Sequence, residues 1–318
     1  MELWQTRFVE RLDQRGVSRR RFLKFCGMMT ATLALPARYT GRVAQALMEA
    51  PRPPVVWLEF QDCTGDTESF LRTKSPGVDE LLLDLLSLDY HETLMTPAGE
   101  MTERSLADTM TRFPGQYICV VEGSIPTAAG GIHCMIRGRT AHSIAQEVCG
   151  NALATIAIGT CAWEGGIAAA APNPTGAMGV KDAVPGLASL VNLPGCPANV
   201  VNLTATIVHF LTFGSWPETD GSGRPHFAYG EEIHEECERH DHYEDERFVL
   251  EWGDEGHRQG WCLFRMGCKG PETHHNCPSV RWNDGTSWPI GAGHGCIGCA
   301  EARFWDRMSP FYAALEDD

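Results

Sequence analysis

The distribution of cysteine constrains this 318-residue chain more than any other feature of its sequence. There are 13 cysteines, an odd number, in a chain far too large to need disulfides for its stability. A disulfide framework is one interpretation, but the odd number and the uneven spacing favour metal binding. Six of the cysteines crowd the last quarter of the sequence, namely Cys237, Cys262, Cys268, Cys277, Cys296 and Cys299.

The composition excludes several classes of protein. Hydrophobic residues make up 43% of the chain and charged residues 21%, so a sizeable core is expected and general disorder is not. The net charge of −15 repels phosphate backbones, which makes nucleic acid an unexpected partner. No apolar run reaches the roughly 20 residues that span a bilayer, so we expect no transmembrane segment in the chain itself.

Residues 1–50 are typical of an export segment. A run of arginines, Arg19-Arg20-Arg21, precedes the moderately apolar residues 25–35, which is the twin-arginine pattern of proteins exported after folding. Ala44-Gln45-Ala46 offers a cleavage site, and the cell envelope, periplasmic or membrane-associated, is then the expected location. The alternative is a retained amphipathic helix in a cytoplasmic protein. Residues 51–54 are predicted to be a stiff linker.

Strand-like and helix-like segments alternate through residues 51–216, and this pattern predicts an α/β domain with a mostly parallel, flavodoxin-like sheet. From residue 217 to 318 glycine, histidine and acidic residues dominate, which predicts an irregular, loop-rich domain that bound clusters could stabilise. The predicted strands are residues 55–60, 117–121 and 154–158. One predicted helix begins at residue 67, and three others cover residues 78–88, 140–149 and 200–213.

A first set of candidate ligands lies in the α/β region. Cys63 and Cys161 directly follow predicted strands, and Cys196 lies in a Gly/Pro loop. Because binding sites in open parallel sheets form beyond the carboxyl ends of the strands, we expect these loops to converge. Glycine beside each cysteine lets the backbone approach a bulky inorganic group closely. Asp66 is a further candidate ligand.

Two more sets lie in the C-terminal region. In the second set the residue types also suit a zinc site, and the set alone does not exclude zinc. The third set contains a Cys-x2-Cys clamp, which zinc ribbons and iron–sulfur loops share, but three ligands without an obvious fourth suit a three-iron cluster better. The second set is His234, Cys237, Cys262 and Cys268; the third is Cys277, Cys296 and Cys299.

With these motifs the chain resembles the small subunit of NiFe hydrogenases, over nearly its whole length from the twin-arginine segment to Phe304-Trp305-Asp306. The most specific motifs are VEGSIP at 121–126, GTCA at 159–162, NLPGCP at 192–197, GWCL at 260–263, GCKGP at 267–271 and AGHGCIGC at 292–299.

The resemblance implies an electron-transfer role for the chain. Hydrogen would be split at a nickel–iron centre in a separate large subunit, an obligate partner, so no catalytic residue is expected in this chain. Electrons would pass to an acceptor such as a cytochrome or a quinone-linked protein. The implied cofactors are a proximal 4Fe-4S cluster on Cys63, Cys161 and Cys196, a medial 3Fe-4S cluster on Cys277, Cys296 and Cys299, and a distal 4Fe-4S cluster on His234, Cys237, Cys262 and Cys268.

The chain departs from the family pattern at Asp66, where the usual first motif has the second cysteine of a Cys-x2-Cys pair. Gly65 likewise lacks the extra cysteine of the oxygen-tolerant variants. Asp66 is interpreted as a carboxylate ligand of the fourth proximal iron, as in other hydrogenases that resemble this one. The alternative is a 3Fe form of the proximal cluster, with Asp66 capping the helix that begins at Thr67. Aspartate at this position is expected to alter the response to oxygen.

Three other functions fit parts of the sequence. A single-cluster subunit of a quinone-reducing respiratory complex would share the flavodoxin-like core but would leave the C-terminal ligand sets unexplained. A stand-alone iron–sulfur electron carrier would use the same clusters without a large subunit. A zinc-stabilised structural protein would use the same residue types without redox chemistry.

Overall fold

The structure, a computed structural model, describes residues 19–49, 52–73, 86–283 and 285–313. Its centre is a parallel five-stranded sheet in the order β2-β1-β3-β4-β5, which confirms the predicted α/β class. The order reverses beside β1, so the carboxyl ends of β1 and β3 flank a crevice of the kind in which open sheets bind ligands. The strands are β1 (Pro54–Glu59), β2 (Ser87–His91), β3 (Ile118–Glu122), β4 (Ala154–Ile158) and β5 (Leu190–Leu193).

Both faces of the sheet are covered by helices. The central strands β1, β3 and β4 are almost continuous apolar runs, as expected for parallel strands that are buried on both sides. Val55 and Trp57 point to one core, whereas Val56 and Leu58 point to the other. The longer helices are α1 (Arg19–Thr32), α2 (Thr40–Glu49), α3 (Gly65–Leu71), α4 (Glu100–Arg112), α5 (Ala141–Gly150), α6 (Gly159–Glu164) and α7 (Val200–Phe213).

The N-terminal segment forms a helical pair that packs on the sheet domain. Helices α1 and α2 contact each other and α7. Phe25, Met29 and Val43 are buried in the same core as the strand residue Val55. Ala44, at the predicted cleavage site, is buried within α2. Whether the segment is removed stays a prediction.

Two predicted elements differ from the structure. Residues 78–85 of the predicted helix 78–88 lie outside the described residues, but Ser87 and Leu88 belong to β2, so the helix prediction is wrong at that end. The linker predicted over 51–54 ends too late, because Pro54 is the first residue of β1. Proline is tolerated there, because the first residue of a strand does not need a backbone N–H to pair with the neighbouring strand.

Beyond α7 the chain is irregular and has a small apolar core of its own around Ile233, Val249, Leu263 and Ile290. Among the described residues, no helix is long and apolar enough to cross a membrane. The short helices are Ala37–Tyr39, Ala128–Gly131, Gly166–Ala169, Val180–Ala183, His226–Tyr229, His240–Glu244, Glu255–Arg258, Phe264–Met266, Gly270–Glu272, Cys277–Val280 and Phe304–Arg307. Two strand pairs are Ile125–Pro126 with Ala177–Met178, and Met135–Ile136 with Arg139–Thr140.

Candidate metal centres

The three loops of the first ligand set meet beyond the carboxyl ends of β1, β4 and β5. Cys161 lies in the first turn of α6, which begins directly after β4. The N–H of Thr160 donates to the carbonyl of Gly195 (2.9 Å), and the N–H of Gly195 donates back to Oγ1 of Thr160 (3.0 Å). These bonds tie the loop of Cys161 to the loop of Cys196.

The loop of Cys63 is tied to the same place. Oδ1 of Asp66 accepts the N–H of Ala198 (2.6 Å), and the hydroxyl of Ser69 donates to the carbonyl of Ala198 (2.8 Å). A Cβ added at Gly65 would lie 3.0 Å from Sγ of Cys63, so glycine leaves room beside the thiol. The convergence predicted for the three loops therefore occurs in the structure.

Asp66 is buried and does not cap the helix. The helix α3 begins at Gly65 with Thr64 as its N-cap residue, so the prediction that Asp66 caps a helix from Thr67 is wrong. Burial, and after it the charge of Glu122, raises the pKa of the Asp66 carboxyl to about 8, despite the opposing bond from Ala198. A cation bound at this carboxyl would favour its ionised form.

Glu122, at the end of β3, supplies the cap that Asp66 does not. Its Oε1 accepts the N–H groups of Asp66 (3.0 Å) and Thr67 (3.1 Å), two donors of the first turn of α3. Its Oε2 accepts the hydroxyl of Thr67 (2.5 Å) and the indole N–H of Trp57 (2.9 Å). Glu122 is fully buried, and these four donors replace its hydration. This glutamate lies within the VEGSIP motif, but the sequence alone assigned it no role.

The second ligand set lines one cavity. Arg239 also lines it, and its backbone N–H donates to Sγ of Cys237 (3.4 Å). Burial raises the pKa of the Cys237 thiol to about 11. The lining residues that could ligate a metal are His234, Cys237, Cys262 and Cys268.

The third ligand set is more enclosed. Cys277 and Cys296 are buried, and Cys299 is partly so. The N–H of Gly298 donates to Sγ of Cys296 (3.3 Å). Nδ1 of the buried His275 lies 3.0 Å from Sγ of Cys277. Burial raises the pKa of the Cys277 thiol, whereas it lowers the pKa of His275 to about 4, with the charge of Arg224 acting in the same direction.

The third set lies between the other two. On one side, the N–H of Cys296 donates to Sγ of Cys268 in the second set (3.3 Å). On the other side, the backbone N–H of Cys196 donates to the Cys299 thiol, and the hydroxyl of Thr160 donates to the carbonyl of Cys299. The three sets thus form one continuous row.

The ligand atoms are spaced more widely than a single ion requires. Tetrahedral zinc with Zn–S bonds of about 2.3 Å would hold its sulfurs about 3.8 Å apart. Within the described ranges, only His240, Asp241 and Glu244 bring three ligand atoms within 4.8 Å of one another, and two of these are exposed acidic groups. None of the three cysteine sets does so. The spacing favours inorganic groups that are larger than one ion.

The cysteines form no disulfides in the structure, so the alternative of a disulfide framework is wrong. Cys119 in β3 and Cys149 in α5 are buried, with their sulfurs 3.6 Å apart, and pack against each other in the sheet domain. Cys26 is buried in α1 against α7, and Cys134 is half-buried. None of these four belongs to the row.

Comparisons with protein families match both parts of the chain. The C-terminal family of NiFe/NiFeSe hydrogenase small subunits matches residues 229–312. The family described as NADH ubiquinone oxidoreductase, 20 Kd subunit, matches residues 63–210. The second and third ligand sets thus lie in the part that the first family covers, and the first ligand set lies in the part that the second family covers.

Individual relatives extend over almost the whole chain. The periplasmic NiFe hydrogenase small subunit 1 of Nitratidesulfovibrio vulgaris is 47% identical and covers 95% of each chain. The quinone-reactive Ni/Fe-hydrogenase small chain of Wolinella succinogenes is 44% identical over 94% of this chain and 85% of its own. Among solved structures, the NiFeSe hydrogenase of Desulfomicrobium baculatum has a TM-score of 0.78 at 35% identity, over 83% of this chain and all of that one.

Proposed function

Because the chain belongs to the NiFe hydrogenase small subunits, we propose that it conducts electrons away from a hydrogen-splitting centre in a large partner subunit. The observation that carries this proposal is the continuous row of ligand sets from Cys196 through Cys299 and Cys296 to Cys268. Bound iron–sulfur clusters would supply one-electron chemistry along this row.

The proximal cluster is proposed to be a 4Fe-4S cluster held by Cys63, Cys161, Cys196 and Asp66. Three observations support Asp66 as the fourth ligand. Its carboxyl is buried and lies where the three loops meet. Among the described residues only Oδ1 accepts a hydrogen bond, so Oδ2 remains available to bind iron. Carboxylate is a harder ligand than thiolate, so it would change the potential of the cluster.

The other two clusters are proposed for the C-terminal ligand sets. The cavity lined by His234 and three cysteines suits a distal 4Fe-4S cluster, with Arg239 beside it. The three enclosed cysteines, Cys277, Cys296 and Cys299, suit a medial 3Fe-4S cluster. We propose that the boundary between the two domains lies near residue 216. Helix α7 has ended before this point, and all five strands of the central sheet precede it in the sequence.

The partner is proposed to cover the first ligand set. Cys63 and Cys196 are exposed in the isolated chain, although a cluster on them would need protection from water. A large subunit over these loops would provide it and would place its own centre next to the proximal site. The acceptor, a cytochrome or a quinone-linked protein, would then dock near His234. Twin-arginine export would put the complex in the periplasm or at the membrane.

The alternatives are weaker. The respiratory-complex family matches only residues 63–210 and leaves the two C-terminal ligand sets outside. A stand-alone carrier would leave Cys63 and Cys196 exposed. Hydrogen-dependent bleaching of the visible iron–sulfur absorbance in the purified complex tests the proposal. Bleaching that requires a co-purified nickel-containing subunit supports it, and a chain that purifies without such a subunit and does not bleach refutes it.

A further inference from the structure

Within the third ligand set, Cys277 is the cysteine whose sulfur faces side chains that carry N–H groups. Nδ1 of His275 lies 3.0 Å from Sγ, and the side chain of Trp282 also hydrogen-bonds to it. Cys296 instead receives the backbone N–H of Gly298, and its sulfur lies 3.6 Å from the hydroxyl of Thr273. His275 and Trp282 belong to none of the ligand sets.

The tautomer of His275 follows from its surroundings. When Cys277 ligates iron, its sulfur is a thiolate and can only accept hydrogen bonds, so the facing Nδ1 must carry the proton. Nε2 of His275 is buried without a hydrogen-bond partner in the described structure. A proton on Nε2 would leave a buried N–H unpaired and would turn the lone pair of Nδ1 towards the thiolate, and both are unfavourable.

The ring of His275 is held in this orientation. Tyr229 meets it edge-on, with ring centroids 5.2 Å apart and an interplanar angle of 86°. The hydroxyl of Tyr229 donates to the carbonyl of Pro194 (2.8 Å), in the loop that carries Cys196. Both aromatic side chains are buried, so the imidazole has little freedom to turn away from Cys277.

We propose that His275 and Trp282 are positioning residues that donate two N–H groups to the Cys277 thiolate and thereby raise the reduction potential of the medial cluster. Hydrogen bonds to the ligating sulfurs withdraw electron density and favour the reduced, more negative cluster, and burial strengthens each bond. The inference rests on the proposed function, since it requires a cluster on Cys277.

The test is a redox titration of the purified complex, followed through the electron paramagnetic resonance signal of the oxidised 3Fe-4S cluster. His275→Phe and Trp282→Phe each remove one N–H and keep an aromatic ring, and His275→Asn keeps an amide N–H at this position. We expect the medial potential to fall in both phenylalanine variants, to fall further in the double variant, and to recover at least in part in His275→Asn. His133→Phe, at an exposed histidine outside the three ligand sets, is the matched control.

The possible results distinguish a failure of the proposed N–H donors from a failure of the medial-cluster assignment. A wild-type potential in both phenylalanine variants, with iron content and spectrum unchanged, overturns the role of these donors and leaves the proposed function intact. If His275→Phe does not assemble, Trp282→Phe decides in the same way. Absence of a 3Fe-4S signal from the wild-type complex overturns the medial assignment, and this inference with it.

Discussion

The Cα of Gly159 faces the carboxyl group of Asp66 with no room for a side chain between them. Any Cβ at Gly159 would overlap Oδ2 of Asp66, and the residue has a φ of +78°, which side chains other than glycine rarely adopt. The glycine that begins α6 therefore sets the position of a candidate ligand in the first turn of α3.

Replacing Gly159 by alanine tests this relationship. We expect Gly159→Ala to displace the Asp66 carboxyl and to lower the iron bound at the first ligand set, while the other two sets stay loaded. Iron analysis with electron paramagnetic resonance of the purified complex measures this. Gly138→Ala is the control, because Gly138 also has a positive φ but has open space around its Cα. Equal iron content in the two variants would contradict the packing argument.

Substitutions of Asp66 test whether its carboxylate ligates the fourth iron of the proximal cluster or only lies beside it. Asp66→Cys restores a thiolate and is expected to keep the proximal cluster but change its potential, because thiolate is the softer ligand. Asp66→Ala removes the ligand and is expected to yield a three-iron form. Activity after air exposure is expected to differ between wild type and Asp66→Cys. The ligand assignment fails if Asp66→Ala retains a four-iron proximal cluster with the wild-type potential.

Glu122→Gln tests the buried cap of α3. The amide group that replaces Oε2 would bring its own N–H donors against those of Trp57 and Thr67, which leaves buried donors unpaired at a cost of about 1–3 kcal/mol. We expect a lower free energy of unfolding and a weaker proximal cluster, measured by urea denaturation and iron content. Glu68→Gln, at an exposed site in the same helix, is expected to change the free energy by less than about 0.5 kcal/mol.

The packing of the N-terminal helices gives a prediction for the uncleaved protein. Met29 is buried in α1, whereas Leu23 in the same helix is 41% exposed. Met29→Ala is expected to cost about 2–5 kcal/mol through the cavity that it leaves, and Leu23→Ala much less. Urea denaturation of the form that retains residues 1–50 measures both. Equal stabilities would show that α1 does not pack on α7 in solution.

The parallel sheet was predictable because β1, β3 and β4 are continuous apolar runs that local sequence reveals. The strand β5 was missed, since Leu190–Leu193 has only four residues and includes Asn192. Pairing with β4 makes this segment a strand, and a contact of that kind is tertiary.

The candidate ligands were predictable for a different reason. Cysteine is rare enough that its spacing is informative, and loops after parallel strands meet at one edge of the sheet. Glu122 and His275 could not be given roles from the sequence. Glu122, on β3, caps a helix that follows β1, and His275 lies against the thiol of Cys277. Both contacts form only when the chain folds. The glycine and proline residues around the cysteines do not indicate the role of Glu122 or of His275.

An iron and acid-labile sulfide count per chain shows whether three inorganic clusters lie along the row of ligand sets. For a loaded complex, we expect roughly 11 iron atoms in addition to the partner's centre, in two four-iron clusters and one three-iron cluster. A chain that carries zinc and no sulfide, or iron enough for one cluster alone, would contradict it.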